Sequence, residues 1–217
     1  MVIMARYPAA HKGETRRKIL QASEALMKEQ GIEAASVDEV MRGAGLTVGG
    51  FYAHFASKEE LASETLLFGL ERSFDRMIRE LDGLDGRAWV RAMIRAYLAQ
   101  VDAPELEHAC PMTLLLADVA RGDDERRRRF SDTTRAMLDR VVGHFPSCDG
   151  LSPREVAIAT YAALVGAVSL ARTTPSRTGC HVITRACETM LCAWMKLDDA
   201  PDSAPRVSQA PRRRLSS

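Results

Sequence analysis

The sequence predicts an all-α fold of nine helices, and three observations carry that prediction. Apolar residues make up 46% of the chain but aromatics only 6%, and strand-like runs of Val, Ile, Thr and Tyr are nearly absent, a balance that favours helices over sheets. Apolar residues recur at the three- and four-residue spacing of a helix face. Capping boxes and first-turn prolines mark helix starts, while Gly and Pro mark the stops.

Residues 1–13 read as a basic, disordered arm. A helix begins near Glu14, with Ile19, Ala22, Leu26 and Met27 on one apolar face, and Gly31 closes it as a left-handed cap. Ser36-Val37-Asp38-Glu39 is a capping box that opens a short helix ending at Gly45. Leu46-Thr47 lead into a second short helix, Val48–Phe55. A second capping box, Ser57-Lys58-Glu59-Glu60, opens a long helix to about Leu81, and Gly83 and Gly86 break it. Arg87–Val101 follows, with Trp89, Met93, Tyr97 and Val101 spaced along it, until Pro104 interrupts. Cys110-Pro111 starts the next helix, since Pro suits the first helical position. Asp123 opens one that runs to about Phe145, closed by Pro146 and Gly150. Ser152-Pro153-Arg154-Glu155 combines cap, proline and capping-box Glu at the start of a helix to about Arg172, and a last helix spans Thr178–Leu197. Residues 198–217 are rich in Pro, Ser and Arg and read as disordered.

Net charge is only +1, so any polyanion must be met by a local patch. Residues 1–20 hold five basic groups against Glu14, net +4, and residues 201–217 hold four arginines against Asp202, net +3. Both ends are therefore basic arms, where phosphate contacts are often kept. Arg126–Arg129 reads instead as a solvated helix face, balanced by Asp123, Asp124 and Glu125. No signal peptide is visible and no apolar run reaches the roughly 18–20 residues of a membrane span, so no membrane partner and a cytoplasmic location are expected. The five cysteines form no C-x-x-C pair and are odd in number, which indicates neither a zinc site nor a disulfide framework. There is no glycine-rich phosphate loop, metal-ligand spacing or catalytic triad. No enzymatic activity, cofactor or metal is expected.

The informative stretch is Ser36–Phe55: a short helix, a Gly-containing turn and a second short helix, the layout of a helix-turn-helix. The second helix carries Gly49 and Gly50, each costing about 1 kcal/mol relative to Ala in a helix interior. Such a handicap needs a reason, and glycines permit close approach to another surface. Phe51 and Phe55 share a face and can anchor the helix, leaving Tyr52 and His54 to point elsewhere.

These residues resemble the TetR (tetracycline-repressor-like) family of transcriptional regulators. The resemblance is carried by Ile19-Leu20, Ala25-Leu26, Gly31, Ser36-Val37, Val40, the string Ala44-Gly45-Leu46-Thr47-Val48-Gly49-Gly50-Phe51-Tyr52-Ala53-His54-Phe55, and Ser57-Lys58-Glu59-Glu60-Leu61. It covers the first quarter of the chain in detail, and the nine-helix plan is similar throughout. Val48 stands where that family often has a basic residue, and Gly50 where it often has Thr, Ser or Ala. An apolar Val48 would suit a thymine methyl.

The resemblance implies a helix-turn-helix head over residues 14–56 and an effector-binding, dimerising body over 57–200, followed by a basic tail at 201–217. Thr47, Val48, Gly49 and Gly50 would lie at the major groove. Tyr52 and His54 would contact phosphate or base. Ser36, Lys58, Arg16, Arg17 and the Arg6/Lys12 arm would supply backbone contacts. Ser36 is equally suited to be only a helix cap. In the body, Phe68, Trp89, Met93, Tyr97, Met112 and Leu116 would line an apolar effector site. Cys110, as N-cap of its helix, is either a thiolate favoured by the helix dipole or a small buried hydrophobe. Ala159, Ala163 and Ala167, with Ile183, Met190 and Trp194, serve either a subunit seam or the core. The implied protein is a homodimer on a near-palindromic double-stranded operator, with half-sites about 34 Å apart, released by a small-molecule or electrophilic effector. A helical adaptor without DNA binding is the competing reading.

Overall fold

A computed structural model describes residues 9–102 and 109–197. Arg6 of the N-terminal arm, Pro104 and the 198–217 tail lie outside the described residues. Eight α-helices run in order: α1 (Ala9–Gln30), α2 (Val37–Gly43), α3 (Lys58–Glu80), α4 (Gly86–Leu98), α5 (Pro111–Arg121), α6 (Asp124–Val141), α7 (Pro153–Arg172) and α8 (Arg177–Met195). The ninth expected helix, Val48–Ala53, is a six-residue 3-10 turn, called the recognition segment below. No strand occurs among the described residues.

Helix starts follow the caps read from the sequence. Ser36 and Ser152 each close a complete capping box with Glu39 and Glu155. At α3 the box is modified: Ser57 caps the Glu60 N–H, but the Glu60 carboxylate accepts from Ala56 N–H at 2.6 Å rather than from Ser57. Gly31 takes φ +87° and donates to Met27 O, the left-handed cap expected at the end of α1. One boundary moves: α1 starts at Ala9, so the helix absorbs Lys12 and Gly13, which the arm was expected to contain.

Two apolar cores form. The smaller joins Ile19 and Leu20 of α1, Val40 and Met41 of α2, Phe51, Phe55 and Leu61. The larger takes Met27 and Ile32, then Leu66, Leu70 and Phe74 of α3, and the inner faces of α4 to α8. Helices α1 and α3 feed both cores, so the head has no gap beneath it. Helix α7 corrects the expectation about apolar runs: it is long and apolar enough, by length and composition, to cross a membrane. Here it packs against α4, α5, α6 and α8, with Val156, Ala157, Leu164 and Val168 fully buried.

Candidate nucleic-acid interface

The recognition segment hangs from two aromatic anchors. Phe51 and Phe55 are 1% and 2% exposed and stack with centroids 5.8 Å apart. With those side chains turned inward, Thr47, Val48, Gly49 and Tyr52 face outward. Tyr52 is 76% exposed and Val48 43%, a large apolar exposure for a segment of six residues. Thr47 is the N-cap, yet its hydroxyl makes no capping hydrogen bond; it is left for another acceptor or donor. Neither glycine has an internal reason. A Cβ built on Gly49 would meet nothing within 4 Å, and one on Gly50 would touch only Met41 Cε at 3.8 Å. Neither has a positive φ.

Other predicted contacts are partly spoken for within the chain. The Ser36 hydroxyl accepts from Glu39 N–H at 3.2 Å and donates to the Glu39 carboxylate at 2.5 Å, so its capping role is filled. The hydroxyl and Ser36 N–H hold that carboxylate below its usual range. Lys58 Nζ donates to Glu33 O at 2.6 Å, which ties the turn after α1 to the start of α3; an ammonium has two further donors for phosphate. Arg16 pairs with Glu64 at 3.4 Å and lies over the Phe55 ring, 4.6 Å from its centroid. Arg17 is exposed. His54 departs from the expectation. It is half-buried, its Nδ1 is buried without a partner, and burial, with Lys12 and Arg16 nearby, lowers its pKa. The ring was expected outside, but position 54 caps the segment and turns toward α1.

The search for relatives points the same way. Residues 19–65 match the family model described as bacterial regulatory proteins, tetR family. The stretch 19–65 belongs to the TetR family. The chain is similar to the transcriptional repressor KstR2 of Rhodococcus jostii, 33% identical over 94 residues, which is 42% of this chain and 46% of that repressor. The chain thus spans about half the length of that curated relative. A regulator of Mycobacterium tuberculosis is 25% identical over 188 residues, 82% of this chain and 94% of its own. In solved structures the fold is shared with reduced NemR of E. coli (TM-score 0.67, 22% identity, 81% and 96% coverage) and with a TetR-family regulator from Cytophaga hutchinsonii (TM-score 0.70, 16% identity, 85% and 96%). These structures share the fold, and the sequence relatives named above are regulators of transcription.

In the body of the chain, the predicted effector residues divide. Trp89, Met93, Tyr97 and Cys110 are all buried, and half-buried Met112 packs against the same core. Tyr97 and Tyr161 meet edge to face at 6.2 Å. Two predicted residues do not join them. Phe68 packs against the head core with Arg72 stacked on it, and Leu116 is 43% exposed because its neighbour Leu115 takes the inward position. Burial favours the small-hydrophobe reading of Cys110 over the thiolate one: it is the N-cap of α5 and buried, and desolvation raises the thiol pKa despite the backbone N–H of Met112 and the nearby Lys28 charge. The dimer residues divide too. Met190 is 49% exposed, whereas Ala167 is buried, Ile183 packs on the core, and Trp194 Nε1 donates to Asp149 at 2.8 Å. Ala159 and Ala163 are half-buried. The open face is rotated from the predicted stripe: Ile158, Ala162 and Leu170 on α7, with Val182, Ala186 and Met190 on α8.

Sequence reasoning missed a buried charge cluster. Glu24 and Lys28 of α1 pair at 2.6 Å with side chains 2% and 1% exposed, and Arg72 of α3 reaches the other Glu24 oxygen at 2.9 Å. Gly69 makes room, since a Cβ there would lie 2.9 Å from Glu24 Oε1 and from Pro111 Cγ. The i,i+4 Glu–Lys spacing was visible, but that pattern ordinarily marks a solvated face.

Proposed function

We propose that this regulator is a dimeric repressor that reads a near-palindromic operator through Thr47, Val48, Gly49, Gly50 and Tyr52, and releases it when a small molecule binds the body. The observation that carries the reading is the outward row of Thr47, Val48, Gly49 and Tyr52 on a segment pinned by Phe51 and Phe55. An apolar side chain, an uncommitted hydroxyl, a phenol and two glycines with no internal role suit a surface that closes on a groove. Arg17, Lys58 and Lys12 would position it through phosphate.

Dimerisation is supported by large apolar side chains left open on α7 and α8: Ile158, Leu170, Val182 and Met190 are 48–63% exposed. Two such faces packed on a two-fold axis would bury them and present two heads to one face of DNA. The effector is assigned to the cluster of Trp89, Met93, Tyr97, Cys110 and Met112. The Tyr97 hydroxyl is buried with no oxygen or nitrogen partner and with the Cys110 thiol, a weak acceptor, beside it; burial raises its pKa well above the usual phenol value, so it stays a donor. A ligand with a stronger acceptor than that thiol would gain from it. The operator directs this function to the cytoplasm.

Selection from a random 30-base-pair duplex library tests the reading. The selected sites should show two-fold symmetry, and binding should fall steeply with salt. Sedimentation should give a dimer that Leu170→Arg with Val182→Arg converts to a monomer. Failure to enrich any sequence would favour the adaptor reading.

A further inference from the structure

We propose that Glu64 is the positioning residue that sets the recognition segment against the body, by holding Arg129 of α6 and Arg16 of α1 on its two carboxylate oxygens. Arg129 Nη2 donates to Oε1 at 2.7 Å, and Arg16 Nη1 reaches Oε2 at 3.4 Å. One carboxylate thus serves two guanidiniums from two different helices, and it sits on the helix that feeds both cores. The three side chains are 27–33% exposed. Burial alone would raise the Glu64 pKa, but the two arginines outweigh it and the carboxyl titrates below its usual range.

The chain of contacts continues past Arg16. Its guanidinium lies over the Phe55 ring at 4.6 Å, Phe55 stacks on Phe51 at 5.8 Å, and Phe51 meets Tyr52 edge to face at 5.2 Å. Arg16 is a long side chain with several free torsions; over an aromatic ring it is held only if something fixes its far end. Glu64 does that. The other oxygen of the same carboxylate is held by α6, whose packing partners are α3, α5 and α7. A shift of α6 therefore moves the group that orients Arg16, and through it the ring that anchors Tyr52. Arg129 acts through Glu64 and touches no DNA.

The test uses the full chain and the tightest duplex that the wild type selects from the random library; enrichment of that duplex verifies DNA reading separately from this proposal. Arg129→Ala, Arg129→Lys, Arg16→Ala, Glu64→Gln and the Arg16→Ala/Arg129→Ala pair are compared across salt concentrations. Arg129→Ala should weaken binding by roughly 2- to 30-fold, with Arg129→Lys partly restoring it. The slope of log K against log salt should stay at the wild-type value, because each direct phosphate contact removed would take about 0.9 from it. Arg129→Ala should have no further effect in the Glu64→Gln background, and the paired arginine variants should combine less than multiplicatively. Binding within two-fold of wild type for Arg129→Ala, a slope reduced by one contact, or multiplicative effects of the two arginines would each overturn the proposal. If Glu64→Gln does not fold by circular dichroism, the arginine variants and their pair decide alone.

Discussion

Replacing Gly49 with alanine should make the regulator more stable and a worse DNA binder, two effects that seldom travel together. In the folded chain the added methyl enters open space, and Gly50→Ala meets only a methionine methyl at 3.8 Å. Neither residue needs a left-handed backbone. Alanine then restricts the unfolded chain at no native cost, a gain of about 0.4–1 kcal/mol, or about 1–4 °C in Tm for a chain of this size. On DNA the same methyl would stand where the backbone must close on a groove. Forcing a methyl into a packed contact costs about 1–3 kcal/mol, roughly 5- to 150-fold in Kd. Thermal unfolding and fluorescence anisotropy on a selected duplex measure the two quantities on one preparation. Unchanged affinity would remove the glycines from the interface. A lower Tm would mean that the segment needs glycine for its own sake.

Three further outcomes are expected. Glu24→Gln should cost about 3–5 kcal/mol, because it removes the buried carboxylate charge on which Lys28 and Arg72 converge, lowering Tm by roughly 6–20 °C; Lys28→Met should cost less, since Arg72 still holds Glu24, and equal small losses would refute the pairing. His54 has a lowered pKa in the fold, so the unfolded chain binds the extra proton: stability is full above the ordinary histidine range near 6.5, declines as pH falls through it, and levels off below the folded pKa. Thermal melts from pH 7.5 to 5 should show that decline and lose part of it in His54→Gln. Cys110 should react with a thiol-modifying disulfide only when the body opens, so its labelling in a variant lacking the other four cysteines should accelerate steeply in urea; fast labelling in buffer would revive the thiolate reading.

Much of the architecture was legible because caps and turns are local. Ser36 with Glu39, Ser152 with Glu155, and Gly31 could each be assigned from a few neighbouring residues, and the structure places helix ends there. The short element after Thr47 falls where the sequence puts it, though six residues with two glycines make a 3-10 turn in place of an α-helix. What the sequence could not resolve depended on rotation about a helix axis. On α7 and α8 an apolar stripe read at three- and four-residue spacing cannot say which of two neighbouring stripes faces the chain's own core. Ala167 and Trp194 went inward, and Ile158, Leu170 and Val182 stayed out. Leu115 and Leu116 repeat the problem at a single step, because consecutive helical residues lie about 100° apart.

The arginine run on α6 shows why a charge block is a poor guide to a surface. Four consecutive residues on a helix cover nearly every direction around it, so Arg126–Arg129 cannot all belong to one solvated face. Arg127 and Arg128 point outward and pair back to Asp124 and Glu125 within the helix, as the balanced-face reading requires. Arg126 points inward. It is 7% exposed and lies so close to Gly122 that a Cβ there would sit 2.7 Å from its Cδ, which explains glycine at that position. Arg129 points to α3 and meets Glu64. A partner 65 residues away in sequence leaves no local trace in the run itself. The same holds for Glu24, whose second cation, Arg72, comes from α3. Both sites lie along α1 and α3, where the head core meets the body core. The part-exposed pairs on Glu64 add little stability, whereas the Glu24 cluster is buried, but each fixes a direction that an apolar contact would leave free. Where this chain joins head to body, the contacts that hold one helix in register against another are therefore made by residues whose local sequence marks them as surface.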